Sequence, residues 1–146
     1  MIYVKIQITD MDYKEFYKKE LFPKRDINIT DKYLEKRGWH KTKPIGEENP
    51  TWYYFDDGIL GRIHVSVYNN KPHYRLQIKH NIGDSRYINT VADIKAAVYS
   101  YVCGLQAVKY GKEGNGYKWI DVDTKEEENE YRYNLYCKLI QKIKYK

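Results

Sequence analysis

The sequence predicts an α+β fold, an antiparallel sheet of about four to five strands packed on helices, with a long C-terminal helix. Three observations carry that prediction. Residues 62–79 hold two period-2 alternations joined by one turn, the mark of a half-buried β-hairpin. Behind a capping box of Thr90 and Asp93, Val91, Ile94, Val98, Tyr101, Val102 and Leu105 recur at helical spacing. After Thr124 the chain opens on Glu126, Glu127 and Glu128 and closes on Lys142, Lys144 and Lys146, a charge order that suits a helix macrodipole. At 146 residues the chain fits a single domain, 1–146, with 117–146 (strand plus long helix) as an extension of it.

The elements follow in order. Ile2, Val4, Ile6 and Ile8 alternate with Tyr3, Lys5 and Gln7, which predicts a strand. Asp10 and Asp12 offer N-cap oxygens to a short helix with Tyr13, Phe16, Tyr17 and Leu21 on one stripe, stopped by Pro23. Thr30 caps a second short helix, 31–37; Gly38 suits a left-handed C′ position, and Trp39 packs behind it. A loop from Pro44 to Pro50 leads to a strand, Trp52 to Phe55, and the turn Asp56-Asp57-Gly58. The helix after Thr90 ends near Gly104, or runs on to Tyr110. A glycine-rich connection, 111–116, precedes a short strand from Tyr117 to Val122. Leu135, Leu139, Ile140 and Ile143 form the stripe of the last helix.

The hairpin is the most informative stretch. Ile63, Val65 and Val67 point one way, and Arg62, His64, Ser66 and Tyr68 the other. On its second strand Tyr74, Leu76 and Ile78 oppose His73, Arg75, Gln77 and Lys79. A turn centred on Asn70-Lys71 sets Val67 against Tyr74, Val65 against Leu76 and Ile63 against Ile78. On the polar face it sets Tyr68 opposite His73, Ser66 opposite Arg75, His64 opposite Gln77 and Arg62 opposite Lys79. A one-residue slip would expose the apolar set of one strand, so the register is expected to be well specified.

Composition adds electrostatics. There are 26 Lys+Arg against 20 Asp+Glu, a net charge of +6. Such a surplus favours nucleic acid, nucleoprotein or anionic surfaces as partners, although it also serves solubility. The 17 tyrosines suit wet binding surfaces and base stacking, and equally suit an AT-rich coding sequence. Cys103 and Cys137 are too few for a disulfide scaffold and match no zinc spacing. No apolar run approaches the ~18 residues of a membrane span, and the first residues have no signal-peptide core. A cytoplasmic protein without membrane association is expected.

Four groups of residues are candidate sites. The polar hairpin face, Arg62, His64, Tyr68, His73, Arg75 and Lys79, joins cations to rings that can hold phosphates and stack bases. None of its positions is acidic, although a solvated sheet face is polar in any case. The G-x-x-G of residues 111–114 leads into a strand rather than a helix, so it reads as a connector. Asp56-Asp57 and Asp121 with Asp123 lack a third local ligand, so no metal is expected. His40, His64, His73 and His80 stand in no catalytic or metal-ligand spacing, and no cofactor is implied.

The order of helix 31–37, three strands spanning 51–80 and helix 90–104 is similar to the α-β-β-β-α order of double-stranded-RNA-binding domains. Where that family carries a lysine cluster, this chain has Thr90, Val91, Ala92 and Asp93. A second likeness rests on Asp31-Lys32-Tyr33-Leu34-Glu35-Lys36-Arg37-Gly38-Trp39, the strand-turn Trp52-Tyr53-Tyr54-Phe55-Asp56-Asp57-Gly58 and the helix Val91 to Gly104. Together they resemble small accessory proteins of phages and mobile elements in low-GC bacteria. That resemblance implies counter-defence in a bacterial host, including anti-CRISPR inhibition, by binding a nucleoprotein complex such as a Cas effector without catalysis.

The expected function is therefore a non-enzymatic basic binding protein that contacts nucleic acid or a nucleoprotein through the 62–79 face. Two alternatives stay open. One is a purely protein-binding inhibitor anchored by exposed Tyr99, Tyr133 and Tyr136; the other is a small nuclease or nucleotide-degrading enzyme.

Overall fold

A computed structural model of the chain describes residues 12–43, 51–78, 85–107, 119–120 and 122–144. The strand expected at residues 2–8, Asp10, the 44–50 and 111–116 loops, Lys79, His80, Asp121 and Lys146 lie outside them. Helix α1 (Tyr13–Leu21) is capped by Asp12, whose carboxylate accepts the Glu15 N–H at 3.2 Å. Thr30 caps α2 (Asp31–Lys36) by accepting the Tyr33 N–H at 3.0 Å. Gly38 then takes φ 85°, which turns the chain so that the Trp39 N–H reaches back to the Leu34 carbonyl at 3.0 Å.

Five strands follow in a meander: β1 (His40–Thr42), β2 (Thr51–Phe55), β3 (Gly61–Tyr68), β4 (Lys71–Ile78) and β5 (Arg86–Ile88). They pair antiparallel in sequence order. The α+β class and the antiparallel sheet are as the sequence predicts. The edge strands β1 and β5 are not, because three residues are too few to display a period of two. All of β1 is exposed, so it has no apolar alternation either.

The hairpin register differs from expectation by two residues. Val67 pairs with Pro72, Val65 with Tyr74, Ile63 with Leu76 and Gly61 with Ile78. On the polar face Tyr68 faces Lys71, Ser66 faces His73, His64 faces Arg75 and Arg62 faces Gln77. The cause lies in the turn. Asn69 and Asn70 both take left-handed φ, 53° and 61°, as the central residues of a two-residue hairpin turn. Asparagine tolerates that region, so the loop is tighter than one centred on Asn70-Lys71. A shift of two preserves parity, and every side chain keeps its expected face.

Asp56 organises the connection from β2 to β3. Its buried carboxylate accepts backbone N–H groups of Gly58, Ile59, Leu60 and Gly61 at 3.2, 3.2, 2.5 and 3.3 Å. Asp56→Ala is expected to cost about 1–3 kcal/mol, because it removes four hydrogen bonds at once and strands the buried Leu60 N–H. Urea denaturation would read the loss, with Asp56→Asn losing less.

Helices cover one face of the sheet. Helix α3 (Val91–Cys103) begins at a true capping box, Thr90 Oγ1 taking the Asp93 N–H at 3.3 Å and Asp93 the Thr90 N–H at 3.0 Å. It stops at Cys103, capped by Gly104, and the chain continues as β6 (Gln106–Ala107). That strand pairs parallel with β7 (Trp119–Ile120), the part of the expected 117–122 strand that is described.

Thr124 caps α4 (Lys125–Leu139), after which Ile140 interrupts the helix before a last turn, α5 (Gln141–Lys144). Lys142 and Lys144 therefore sit beyond the long helix rather than in its last turn. The break lets Ile140 and Ile143 both enter the core. Tyr33 donates its hydroxyl to the Ile143 carbonyl at 3.0 Å, satisfying an acceptor at the chain's helical end.

Ile63, Val65, Leu76, Ile78 and Ile88 from the sheet join Ile94, Val98, Val102 and Leu139 from the helices, and Ile140 from the break, in one core. Much of the tyrosine is structural. Tyr54, Tyr74 and Tyr136 are buried with their hydroxyls on Glu35, Asp31 and Glu20 at 3.2, 2.7 and 3.2 Å. Burial, and then the adjacent carboxylates, push all three phenols above their ordinary range. Tyr13, Phe16, Tyr17, Tyr99, Tyr133 and Tyr136 form a ring cluster among α1, α3 and α4, with centroids 4.7–5.9 Å apart. Tyr99, Tyr133 and Tyr136 are thus not exposed anchors. Tyr136 is fully buried, and the other two are half-buried in this cluster.

Candidate nucleic-acid interface

Pairing fixes which side chains share the face away from the core. One row crosses all five strands: Thr42, Tyr53, His64, Arg75 and Tyr87. Beside it run His40, Phe55, Arg62 and Gln77, and on the other side Thr51, Ser66 and His73. Tyr68 and Lys71 close the hairpin end. None of these described strand positions is acidic.

Five of the six residues expected from the sequence, Arg62, His64, Tyr68, His73 and Arg75, come together here; Lys79 lies outside the described residues. Tyr53, Phe55, Lys71, Gln77 and Tyr87 join them. The hairpin alternation pointed to Gln77, but the others needed strand pairing. Tyr53 and Phe55 share the period-2 parity of β2, yet only its register against β3 shows which parity faces outward.

The face is preassembled by contacts among its own groups. The Tyr68 and His73 rings stack, 3.7 Å between centroids and 6° between planes. Tyr53 stacks on His64 at 4.7 Å, and the Arg62 guanidinium lies 5.1 Å from the Tyr53 ring. Arg75 lies 6.0 Å from the Tyr87 ring. Outermost are Tyr87, 62% exposed, Tyr68, 49%, and Phe55, 38%. Rings this open, with Tyr68 backed by His73 and Tyr87 beside Arg75, are platforms on which another planar group can stack.

Hydrogen bonds set the protonation pattern. Arg75 Nη2 lies 3.0 Å from His64 Nδ1, and arginine can only donate, so Nδ1 is an acceptor. His64 Nε2 therefore carries the proton and donates it to Thr51 Oγ1 at 3.2 Å. Likewise Arg62 Nε donates to Gln77 Oε1 at 2.8 Å, which leaves the Gln77 amide nitrogen pointing elsewhere. At the sheet edge His40 Nε2 lies 2.9 Å from Asp57 Oδ1, with both side chains open to solvent.

Tyr53, Arg62, His64, Arg75, Gln77 and Ser85 line a recess of about 180 Å³. Pockets for organic ligands run roughly 300–1,000 Å³, so this one suits a single small group. Among the described residues no cluster of three His, Cys, Asp or Glu is placed to hold a metal, and no helix is long and apolar enough to cross a membrane.

Among the described residues, the molecule is an antiparallel sheet with helices on one face and aromatic and basic side chains on the other. The chain matches no protein-family model, no curated protein and no solved structure.

Proposed function

We propose that this is a non-enzymatic binding protein whose open sheet face takes single-stranded nucleic acid, free or displayed by a nucleoprotein complex. One observation carries the reading: exposed Tyr68, Tyr87 and Phe55 share a face with Arg62, Arg75 and Lys71 on which none of the described strand positions is acidic. Bases stack on the rings, and the cations pair with phosphates. A flat aromatic face favours unstacked single strands over a duplex, whose bases are already stacked and whose recognition rests on groove and backbone shape. The likeness to phage and mobile-element accessory proteins extends the proposal to counter-defence in a bacterial cytoplasm. There the protein would occupy the nucleic-acid path of a Cas effector or similar assembly.

Fluorescence anisotropy with labelled single-stranded RNA and DNA tests the reading. Tyr68→Ala and Tyr87→Ala are each expected to weaken binding by roughly 5- to 150-fold, the worth of about 1–3 kcal/mol per stacked base. Full affinity in both variants would remove stacking from the account. Capture of a host assembly that survives nuclease treatment would favour a purely protein-binding inhibitor instead.

A further inference from the structure

We propose that the recess lined by Tyr53, Arg62, His64, Arg75 and Gln77 is a subsite for a terminal phosphate group, a phosphate monoester at one end of the bound strand. The proposal rests on the nucleic-acid reading of the face and names what this recess receives. The argument is one of hydrogen-bond inventory. Arg62 uses Nε on Gln77, and Arg75 uses one Nη2 hydrogen on His64, so each guanidinium keeps most of its five donors. Gln77 turns its amide oxygen to Arg62 and keeps both amide hydrogens to offer. His64 has Nδ1 engaged by Arg75 and Nε2 by Thr51.

Apart from the Tyr53 and Ser85 hydroxyls, the side chains of the recess therefore meet a ligand with donors and two positive charges. Nucleobases present mixed donors and acceptors, which so donor-rich a lining matches poorly. A phosphate monoester is all acceptor, with three free oxygens and a charge near −1.5 to −2, against the single charge of an internal diester. A volume of about 180 Å³ also suits one such group rather than a whole nucleoside.

Anisotropy with one short single strand prepared with a 5′-phosphate, a 3′-phosphate or hydroxyls at both ends tests this. One phosphorylated end is expected to tighten binding by about 10- to 100-fold, the worth of charge-assisted hydrogen bonds. Inorganic phosphate should compete that preference away. Gln77→Glu keeps the shape and the Arg62 hydrogen bond but puts a carboxylate in the recess, and should abolish the preference; Arg62→Gln should reduce it. Equal affinity for all three strands, with Tyr68→Ala still weakening each, overturns the subsite and leaves the stacking reading standing.

If no strand binds, the nucleic-acid reading fails, and inorganic phosphate alone decides the subsite. Arginine side-chain NMR signals that shift with phosphate in the natural protein, but not in Gln77→Glu, keep a phosphate-monoester site served by another source. Unmoved signals overturn it.

Discussion

Glu128→Ala is expected to destabilise the protein by about 3–5 kcal/mol, the largest single-site loss anticipated in the helical layer. The Glu128 side chain is only 2% exposed, and its Oε1 lies 3.2 Å from Arg132 Nη1 and 3.0 Å from Lys125 Nζ. Arg132, itself largely buried, carries the link onward by donating Nε to the Leu105 carbonyl at 2.9 Å. The carboxylate thus holds the guanidinium that ties α4 to the end of α3. Lys125 is mostly solvated and adds little.

Removing Glu128 alone leaves a buried cation without its counter-charge, whereas replacing both partners removes the problem. Glu128→Leu combined with Arg132→Met is accordingly expected to recover most of the loss. Urea unfolding with unchanged m-values would measure both variants. A loss below about 1 kcal/mol in Glu128→Ala would mean that Arg132 rehydrates freely, contrary to its burial.

Changing Arg62, Arg75 and Lys79 together to alanine is the variant expected to affect binding most. If each cation pairs with one phosphate of a single strand, the logarithmic salt slope should become shallower by about 2, at roughly 0.7 per phosphate. Affinity should fall most at low salt, where counterion release contributes most. The variant should stay folded, since Arg62 and Arg75 are on the open face and outside the core. Lower affinity with an unchanged slope would assign these residues to ring positioning, because Arg62 rests on Tyr53 and Arg75 holds His64. An unchanged slope and affinity would sink phosphate recognition by this face.

The hairpin illustrates how much of the site could be read beforehand. Alternation alone assigned Arg62, His64, Tyr68, His73 and Arg75 to the outer face, and all five are there. It misplaced their partners because parity survives a two-residue shift, and loop length was decided by Asn69 and Asn70 in left-handed backbone. Tyr87 was out of reach. Its strand is three residues long and joins the site only by pairing opposite Arg75. The tyrosine excess was ambiguous for a related reason. Composition cannot separate Tyr136, buried on Glu20, from Tyr87, open to solvent.

By itself, then, the sequence determined what is local and periodic: the α+β class, the capped helices and the two faces of the hairpin. These follow from side-chain period and from short-range hydrogen bonds, which a chain carries wherever it folds. Tertiary structure decided the rest: the register of β2 against β3, the edge strands, and the burial of Tyr99, Tyr133 and Tyr136. Each depends on contacts between residues far apart in the chain. Only the assembled sheet brings Tyr53, His64, Arg75 and Tyr87 into one row.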